Sequence, residues 1–126
     1  MEYFAGLDVS MEETRVCILD RDGKVIHEVK VPSTPSDIEA ALAKAPTCRR
    51  VVFETGRMAP MLHHGLTERG VPVVCIESRQ ASQALKSLAT HKTDRNDARG
   101  LAHLARTGFF KPVHVGHSSV RFVCFQ

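Results

Sequence analysis

The segment YFAGLDVS, residues 3–10, determines the architecture that we predict for this chain. Apolar side chains occupy both alternating faces of the segment except at Asp8, and a strand with two apolar faces is typical of the centre of a sheet. A carboxylate in such a strand is expected to need a partner, since burying an unpaired charge costs several kcal/mol. Asp8 is therefore the first candidate for a functional residue.

Two further strands are predicted next to this segment. The stretches TRVCILD, residues 14–20, and KVIHEVKV, residues 24–31, are rich in β-branched residues and are joined through the turn-forming sequence Asp-Arg-Asp-Gly at 20–23. Three consecutive strands with short connections are expected to pair antiparallel.

The middle of the chain predicts a strand, a helix and another strand, preceded by a separate helix. Thr34 followed by Pro35 is a helix start signal for that first helix. RRVVFE at 49–54 and VPVVCIE at 71–77 are predicted strands, and Pro60 opens a helix between them. Because a crossover of this length returns the chain in the same direction, these two strands should be parallel and the sheet mixed.

Two more helices are predicted towards the C-terminus. One has its apolar stripe within residues 81–88. The other starts near Thr93 and ends at Gly108, and its buried residues are predicted to be Ala98, Leu101, Ala102 and Ala105. The whole pattern predicts an α/β fold with a mixed five-stranded sheet flanked by helices.

Length and composition indicate one globular domain. The chain has 126 residues, of which 43% are hydrophobic and 25% charged, and it has no apolar run near the ~20 residues that a membrane helix needs. The N-terminus has no basic, cleavable leader, so we expect a cytoplasmic protein without a membrane partner. The four cysteines have no CxxC spacing, and we expect neither a disulfide nor a zinc site.

Positive charge is concentrated in one part of the sequence. Residues 79–111 contain seven Lys or Arg and two Asp, a net charge of +5, whereas the rest of the chain has a net charge of −2. Such a concentration is typical of a surface that contacts a phosphate backbone. A solvated helix surface explains the charge equally well.

Four acids are candidates for a shared site: Asp8, Glu54, Asp94 and Asp97. Glu54 ends a strand that is predicted to lie beside the strand of Asp8, and the two later aspartates, three residues apart, share one helix face. Two carboxylates ~4 Å apart repel by ~4 kcal/mol at an effective dielectric near 20, and divalent cations remove that repulsion. Mg²⁺ prefers oxygen ligands, and a pair of ions ~3.5–4 Å apart suits phosphodiester cleavage.

Ordinary structural roles explain the same acids. Asp94 can cap a helix and Asp97 can complement the dipole of its first turn. Asp8 can form a local turn where its strand ends, and Glu54, before Thr55 and Gly56, can be a surface turn residue. The residues alone leave both interpretations open.

Four motifs resemble one known family. GLDVS at 6–10, FETG at 53–56, VPVVCIE at 71–77 and KTDRNDARGLAHLARTGFFKPVHV at 92–115 resemble the N-terminal domain of the DEDD insertion-sequence transposases, relatives of the Piv/MooV DNA invertases. The resemblance covers residues 1–116 and implies an RNase H-like, RuvC-like fold.

The resemblance also implies a function for individual residues. By position, the catalytic and metal-binding acids of the family correspond to Asp8, Glu54, Asp94 and Asp97, with Mg²⁺ as cofactor and Mn²⁺ as its substitute. Lys92, Arg95 and Arg99 fit phosphate contacts around such a site. Implied partners are DNA, a structured bridge RNA that guides the recombinase, and further copies of the chain in a homo-oligomer, and the implied location is the nucleoid.

The last ten residues differ from the family pattern. Family members continue into a helical domain that supplies a serine nucleophile, and neither Ser118 nor Ser119 in the tail at 117–126 corresponds to it. We therefore expect a RuvC-like domain over residues 1–116, a divergent and truncated tail, and incomplete recombination activity without a C-terminal domain.

Two other functions compete with the transposase interpretation. The first is a remnant that binds nucleic acid or dimerises without chemistry. The second is an actin-like or sugar-kinase-like ATPase lobe, whose first hairpin also carries an aspartate directed at a metal. The ATPase needs a glycine-rich phosphate loop, and LDVSMEETR at 7–15 has none.

Overall fold

The computed structural model describes residues 2–45, 48–77 and 98–108, which form a five-stranded sheet with helices on both faces. The strands are β1 (Tyr3–Val9), β2 (Glu13–Asp20), β3 (Val25–Pro32), β4 (Cys48–Glu54) and β5 (Val73–Ile76). The helices are α1 (Pro35–Leu42), α2 (Ala59–Glu68) and α3 (Ala98–Thr107).

The sheet is mixed, and β1 lies at its centre. The strand order is β3-β2-β1-β4-β5. β1 and β3 each pair antiparallel with β2, whereas β4 pairs parallel with both β1 and β5. The predicted antiparallel hairpins, the parallel pair joined by α2 and the central position of the first strand are all confirmed.

The larger core lies between the sheet and the helices α1 and α2. Ala5 and Leu7 of β1 point to this face and pack with alternate residues of the neighbouring strands. Each helix contributes its apolar stripe, including Ile38 of α1 and Leu62 and Leu66 of α2. Met61 of α2 is 45% exposed and lies outside this core.

The opposite face of the sheet is covered by α3. Phe4 packs with Leu101 and Leu104, and a Cβ built at Gly6 would meet the backbone of α3 between Ala98 and Ala102. The start of α3 therefore lies nearer the carboxyl end of β1 than its last turn does, so the helix runs antiparallel to the strand. The buried stripe predicted for this helix is confirmed, with Leu104 as a further member.

Local signals in the sequence explain where the elements begin and end. The Thr34 hydroxyl accepts a hydrogen bond from the Asp37 backbone N–H at 3.1 Å, which caps α1 directly before Pro35. Gly108, with φ +72°, ends α3 as predicted. The predicted helix within 81–88 and the predicted start of the last helix near Thr93 lie outside the described residues. Among the described helices, none is both long enough and apolar enough to cross a membrane.

Candidate functional site

Asp8 and Glu54 lie at the same edge of the sheet, on adjacent parallel strands. Leu7 of β1 pairs in register with Phe53 of β4, and the two acids are the next residues of their strands. Since side chains alternate along a strand, both acids belong to the α3 face, as Gly6 and Val52 do. The structure therefore brings these two predicted site residues together.

The environment of Asp8 differs from our expectation. β1 is central, and its residues from Phe4 to Leu7 are buried, but Asp8 itself is exposed. The prediction that Asp8 is a buried charge is wrong, because β1 leaves the core between the buried Leu7 and the exposed Asp8. Glu54 is half-buried. Both carboxylates are thus accessible from solvent, as the ligands of an exchangeable ion must be.

The two acids line an open pocket of about 220 Å³. The turn after β1 contributes Ser10 and Met11 to one wall, and the segment that connects β4 to α2 also lines the pocket. Leu101 of α3 also lines the pocket. The pocket lies at the carboxyl end of two parallel strands, where open α/β sheets commonly bind ligands.

A hydrogen-bonded network fixes the turn after β1. The Ser10 backbone N–H donates to the Glu13 carbonyl at 3.1 Å, and the Ser10 hydroxyl donates to the same oxygen at 2.6 Å. Behind the turn, the Ser33 hydroxyl donates to the Ser10 carbonyl at 2.7 Å and contacts the buried Thr14 hydroxyl at 2.7 Å. This wall of the pocket is therefore held by interactions that converge from β2 and the end of β3.

The other predicted acids cannot be placed from the described residues. Asp94, Asp97, Lys92 and Arg95 all lie outside them. Ala98, the residue after Asp97, is buried against Cys17 and Leu19 of β2. Within residues 2–45, 48–77 and 98–108, no group of three or more His, Cys, Asp or Glu side chains could hold a metal ion.

Arg99 occupies the β2–β3 side of α3. Its guanidinium lies 3.1 Å from a Glu28 carboxylate oxygen, and Arg15 approaches the other oxygen of Glu28 at 4.0 Å. Arg15 is also the register partner of Asp8 on β2, so positive charge continues along the sheet next to the pocket. The Arg99 side chain remains 58% exposed. A phosphate contact by Arg99 stays a prediction.

Two pocket residues were missed in the sequence analysis. Arg57 and Met11 both line the pocket, and Met11 is 62% exposed. The sequence does contain a signal for Arg57, because it follows the end of a predicted parallel strand and a glycine, where binding residues are frequently located. Met11 has no comparable signal, since an exposed methionine in a turn is ordinary.

Comparison with protein families identifies the chain. A family model for DEDD transposases of the IS110 type, described as a transposase, matches residues 5–121. The chain belongs to this transposase family. A comparison with curated proteins gives no match.

Solved structures support the fold of this transposase domain. RuvC of T. thermophilus, solved in complex with a Holliday junction substrate, matches with a TM-score of 0.58 and 17% identity over 89% of this chain and 99% of RuvC. The predicted RNase H-like, RuvC-like fold is therefore confirmed. The ethanolamine utilization protein EutJ from Carboxydothermus hydrogenoformans matches with a TM-score of 0.46 and 13% identity, over 67% of this chain and 40% of EutJ.

Proposed function

We propose that this chain is the nuclease-type catalytic domain of a transposase, which cleaves DNA strands with divalent metal ions held by Asp8, Glu54, Asp94 and Asp97. The observation that carries the proposal is the placement of Asp8 and Glu54 on adjacent parallel strands, at one accessible pocket. Membership of the transposase family and the RuvC-like fold support it.

The direction of α3 supports a contribution from the two later aspartates. Ala98 is the first described residue of α3, lies against Gly6 and is bonded directly to Asp97. Gly6 is two residues from Asp8 on the same face of β1. The N-terminal end of the described part of α3 therefore lies towards the end of the sheet that carries Asp8 and Glu54, which supports the proposal that the two later aspartates share their site.

The donor set fits Mg²⁺, with Mn²⁺ as a substitute. All four side chains are carboxylates, whose hard oxygens these ions prefer, and the exposure of Asp8 leaves room for water and for phosphate oxygens as further ligands. When bound, a pair of such ions stabilises negative charge on the attacking and leaving oxygens of a phosphodiester. The residues of the chain itself orient the acids through the β1–β4 register and through the turn held by Ser10 and Ser33.

We propose DNA as the substrate, because RuvC, which shares the fold, was solved with a Holliday junction. Lys92, Arg95 and Arg99 are proposed to contact its phosphates. A bridge RNA, assembly into a homo-oligomer and association with the nucleoid belong to the same proposal. So do the domain limits of 1–116 and the need for a C-terminal domain to complete recombination.

Titration calorimetry with Mg²⁺ and Mn²⁺ tests the metal site. We expect binding to the unchanged chain and its loss in Asp8→Asn and Glu54→Gln, since each substitution removes one anionic ligand with little change in shape. Asp22→Asn is the matched control, because Asp22 is an exposed acid in the β2–β3 turn, at the opposite end of β2 from the residue that faces Asp8. Equal heats in all four proteins would refute the metal site.

Nicking of duplex and branched DNA separates catalysis from binding alone. We expect metal-dependent nicks that fall by about two orders of magnitude or more in Asp8→Asn. DNA binding without nicks, in the presence of normal metal binding, would favour the remnant that only binds nucleic acid. ATP binding without DNA binding would favour the ATPase lobe.

A further inference from the structure

The pocket that is lined by the two acids is also lined by an arginine, Arg57. Arg57 lies in the connection between β4 and α2, three residues after Glu54, and its side chain is exposed at the pocket. The arginines at 15, 49, 69 and 99 each lie within 4.0 Å of a carboxylate oxygen. Among the described residues, no ion pair of this kind occupies Arg57.

We propose that Arg57 binds a backbone phosphate of the DNA strand that is cleaved, next to the phosphate at Asp8 and Glu54. The inference rests on the proposed function, since it takes the acids as the position of the reacting phosphate. Arg57 lines the same pocket as Asp8 and Glu54, so a positive side chain and the two acids border one cavity. One strand can therefore place the reacting phosphate at the acids and a neighbouring phosphate on the guanidinium.

The chemistry of the guanidinium fits this role. Its planar N–H groups donate two parallel hydrogen bonds to phosphate oxygens, which fixes the orientation of the strand as well as its affinity. The first turn of α2 also borders the pocket through Ala59 and adds positive potential there, although a helix terminus alone does not define a site. Met11, which also lines the pocket and is exposed, offers an apolar surface to the sugar or base between the two phosphates.

The position of Arg57 makes it a positioning residue. A contact one phosphate away from the reaction holds the strand in register with the acids and performs no bond breaking. Loss of the Arg57 side chain should therefore weaken DNA binding and lower the salt dependence of that binding, by the same amount for every DNA sequence. It should not change the affinity for Mg²⁺.

Fluorescence anisotropy with labelled duplex and branched DNA, in EDTA over a series of salt concentrations, tests the contact. For Arg57→Gln we expect about five- to tenfold weaker binding and a slope of log affinity against log salt that is smaller in magnitude by about one. Arg57→Lys should restore the slope but not the full affinity, because a lysine keeps the charge and loses the paired hydrogen bonds.

Arg21→Gln is the matched control. Arg21 is an exposed arginine in the turn between β2 and β3, at the end of the sheet opposite to the pocket, and its loss should leave the slope unchanged. A thermal melt of each variant confirms that the fold is intact, which we expect because neither side chain is buried.

The outcomes distinguish this inference from the proposed function. DNA binding with the same slope in Arg57→Gln as in the unchanged chain would overturn the Arg57 contact and leave the metal site standing. No DNA binding by the unchanged chain would overturn both. A reduced slope in a chain that binds no Mg²⁺ would support the phosphate contact and remove the metal-dependent chemistry.

Discussion

Gly6 of β1 and Ala102 of α3 bring the backbone of a strand and the backbone of a helix into direct contact. A Cβ atom added at Gly6 would overlap the Ala102 backbone nitrogen and the Ala98 carbonyl oxygen, and would lie 2.7 Å from the Leu101 carbonyl carbon. Ala98 and Ala102 are themselves fully buried. The absence of a side chain at Gly6 thus sets the distance between the sheet and α3.

Substitution of Gly6 by alanine should displace α3 from the sheet. The obstructing atoms belong to helix backbone and cannot move as a flexible side chain would, so we expect a loss of about 3 kcal/mol or more in the free energy of unfolding. Chemical denaturation monitored by circular dichroism measures it. If Asp94 and Asp97 share a site with Asp8 and Glu54, the same variant should also bind Mg²⁺ more weakly.

Gly56→Ala is the control for this substitution. Gly56 lies at the pocket, and an added Cβ there meets no atom within 4 Å. Its free energy of unfolding should change by no more than about 0.5 kcal/mol. Equal stabilities of the two variants would contradict the close contact between β1 and α3.

Arg50 should stabilise the other end of α3. Its Nε donates to the Ala105 carbonyl at 2.7 Å, a second guanidinium nitrogen lies 3.4 Å from the Arg106 carbonyl, and the guanidinium lies 5.4 Å from the centre of the Phe4 ring. These contacts satisfy helix-terminal carbonyls and place a cation at the negative end of the helix dipole. Arg50→Ala should cost about 1–2 kcal/mol in denaturant unfolding.

Arg49→Ala is the matched substitution one residue earlier. Arg49 pairs with Glu2 at 2.9 Å, but both side chains are about half exposed, and such a surface ion pair contributes ~0.2–1 kcal/mol. The loss should therefore be smaller for residue 49 than for residue 50. The reverse order would show that the α3 cap contributes little.

Much of the fold could be predicted because its signals are local. The turn at 20–23 and the pair Thr34 and Pro35 act on their own neighbours, so the hairpin and the start of α1 follow from short stretches of sequence. The prediction that β4 lies beside the central β1 then puts Glu54 next to Asp8, as the register confirms. The proximity of Asp8 and Glu54 could thus be predicted from the sequence.

The rest depends on contacts between residues that are distant in sequence. The hydrogen bond between Arg50 and Ala105 spans 55 residues, and no local pattern distinguishes Arg50 from Arg49. The pocket likewise combines Met11 with Arg57, from two turns that meet only in the folded sheet. The exposure of Asp8 has the same origin, since it depends on where β1 leaves the core.

Asp20 should make the hairpin between β2 and β3 sensitive to acid. The backbone N–H groups of Lys24 and Asp22 both donate to its Oδ1 at 2.9 Å, and these hydrogen bonds, the one from Lys24 above all, hold the pKa of the Asp20 carboxyl below its ordinary value. A lowered pKa means that the ionised form favours the folded state. Its contribution to stability is present above the unfolded pKa and is lost as pH falls through the folded pKa.

A pH series of thermal unfolding measures this contribution against Asp20→Asn, which keeps an acceptor oxygen but does not titrate. We expect the Tm of the unchanged chain to fall relative to that of the variant as the pH drops below about 4. NMR titration should place the Asp20 carboxyl below its ordinary pKa. A Tm difference that does not vary with pH would contradict the role of the ionised carboxylate.

Ser33 should couple the stability of the chain to the shape of the pocket. Since its hydroxyl donates to the Ser10 carbonyl, the fully buried Thr14 hydroxyl donates to Ser33 in turn. Ser33→Ala leaves both groups without this partner and should cost about 1–3 kcal/mol, whereas Ser36→Ala, at an exposed hydroxyl, should cost about 0.5 kcal/mol or less.

A double variant separates this network from simple loss of packing. Thr14→Val removes the second buried hydroxyl with little change in shape, so the double variant with Ser33→Ala should be less destabilised than the sum of the single variants. Additive losses in denaturant unfolding would show that the two hydroxyls act independently.

Because Ser10 and Met11 form one wall of the pocket, Ser33→Ala should also weaken Mg²⁺ binding in calorimetry although Ser33 is not a ligand. Unchanged heats would mean that the turn after β1 does not orient Asp8.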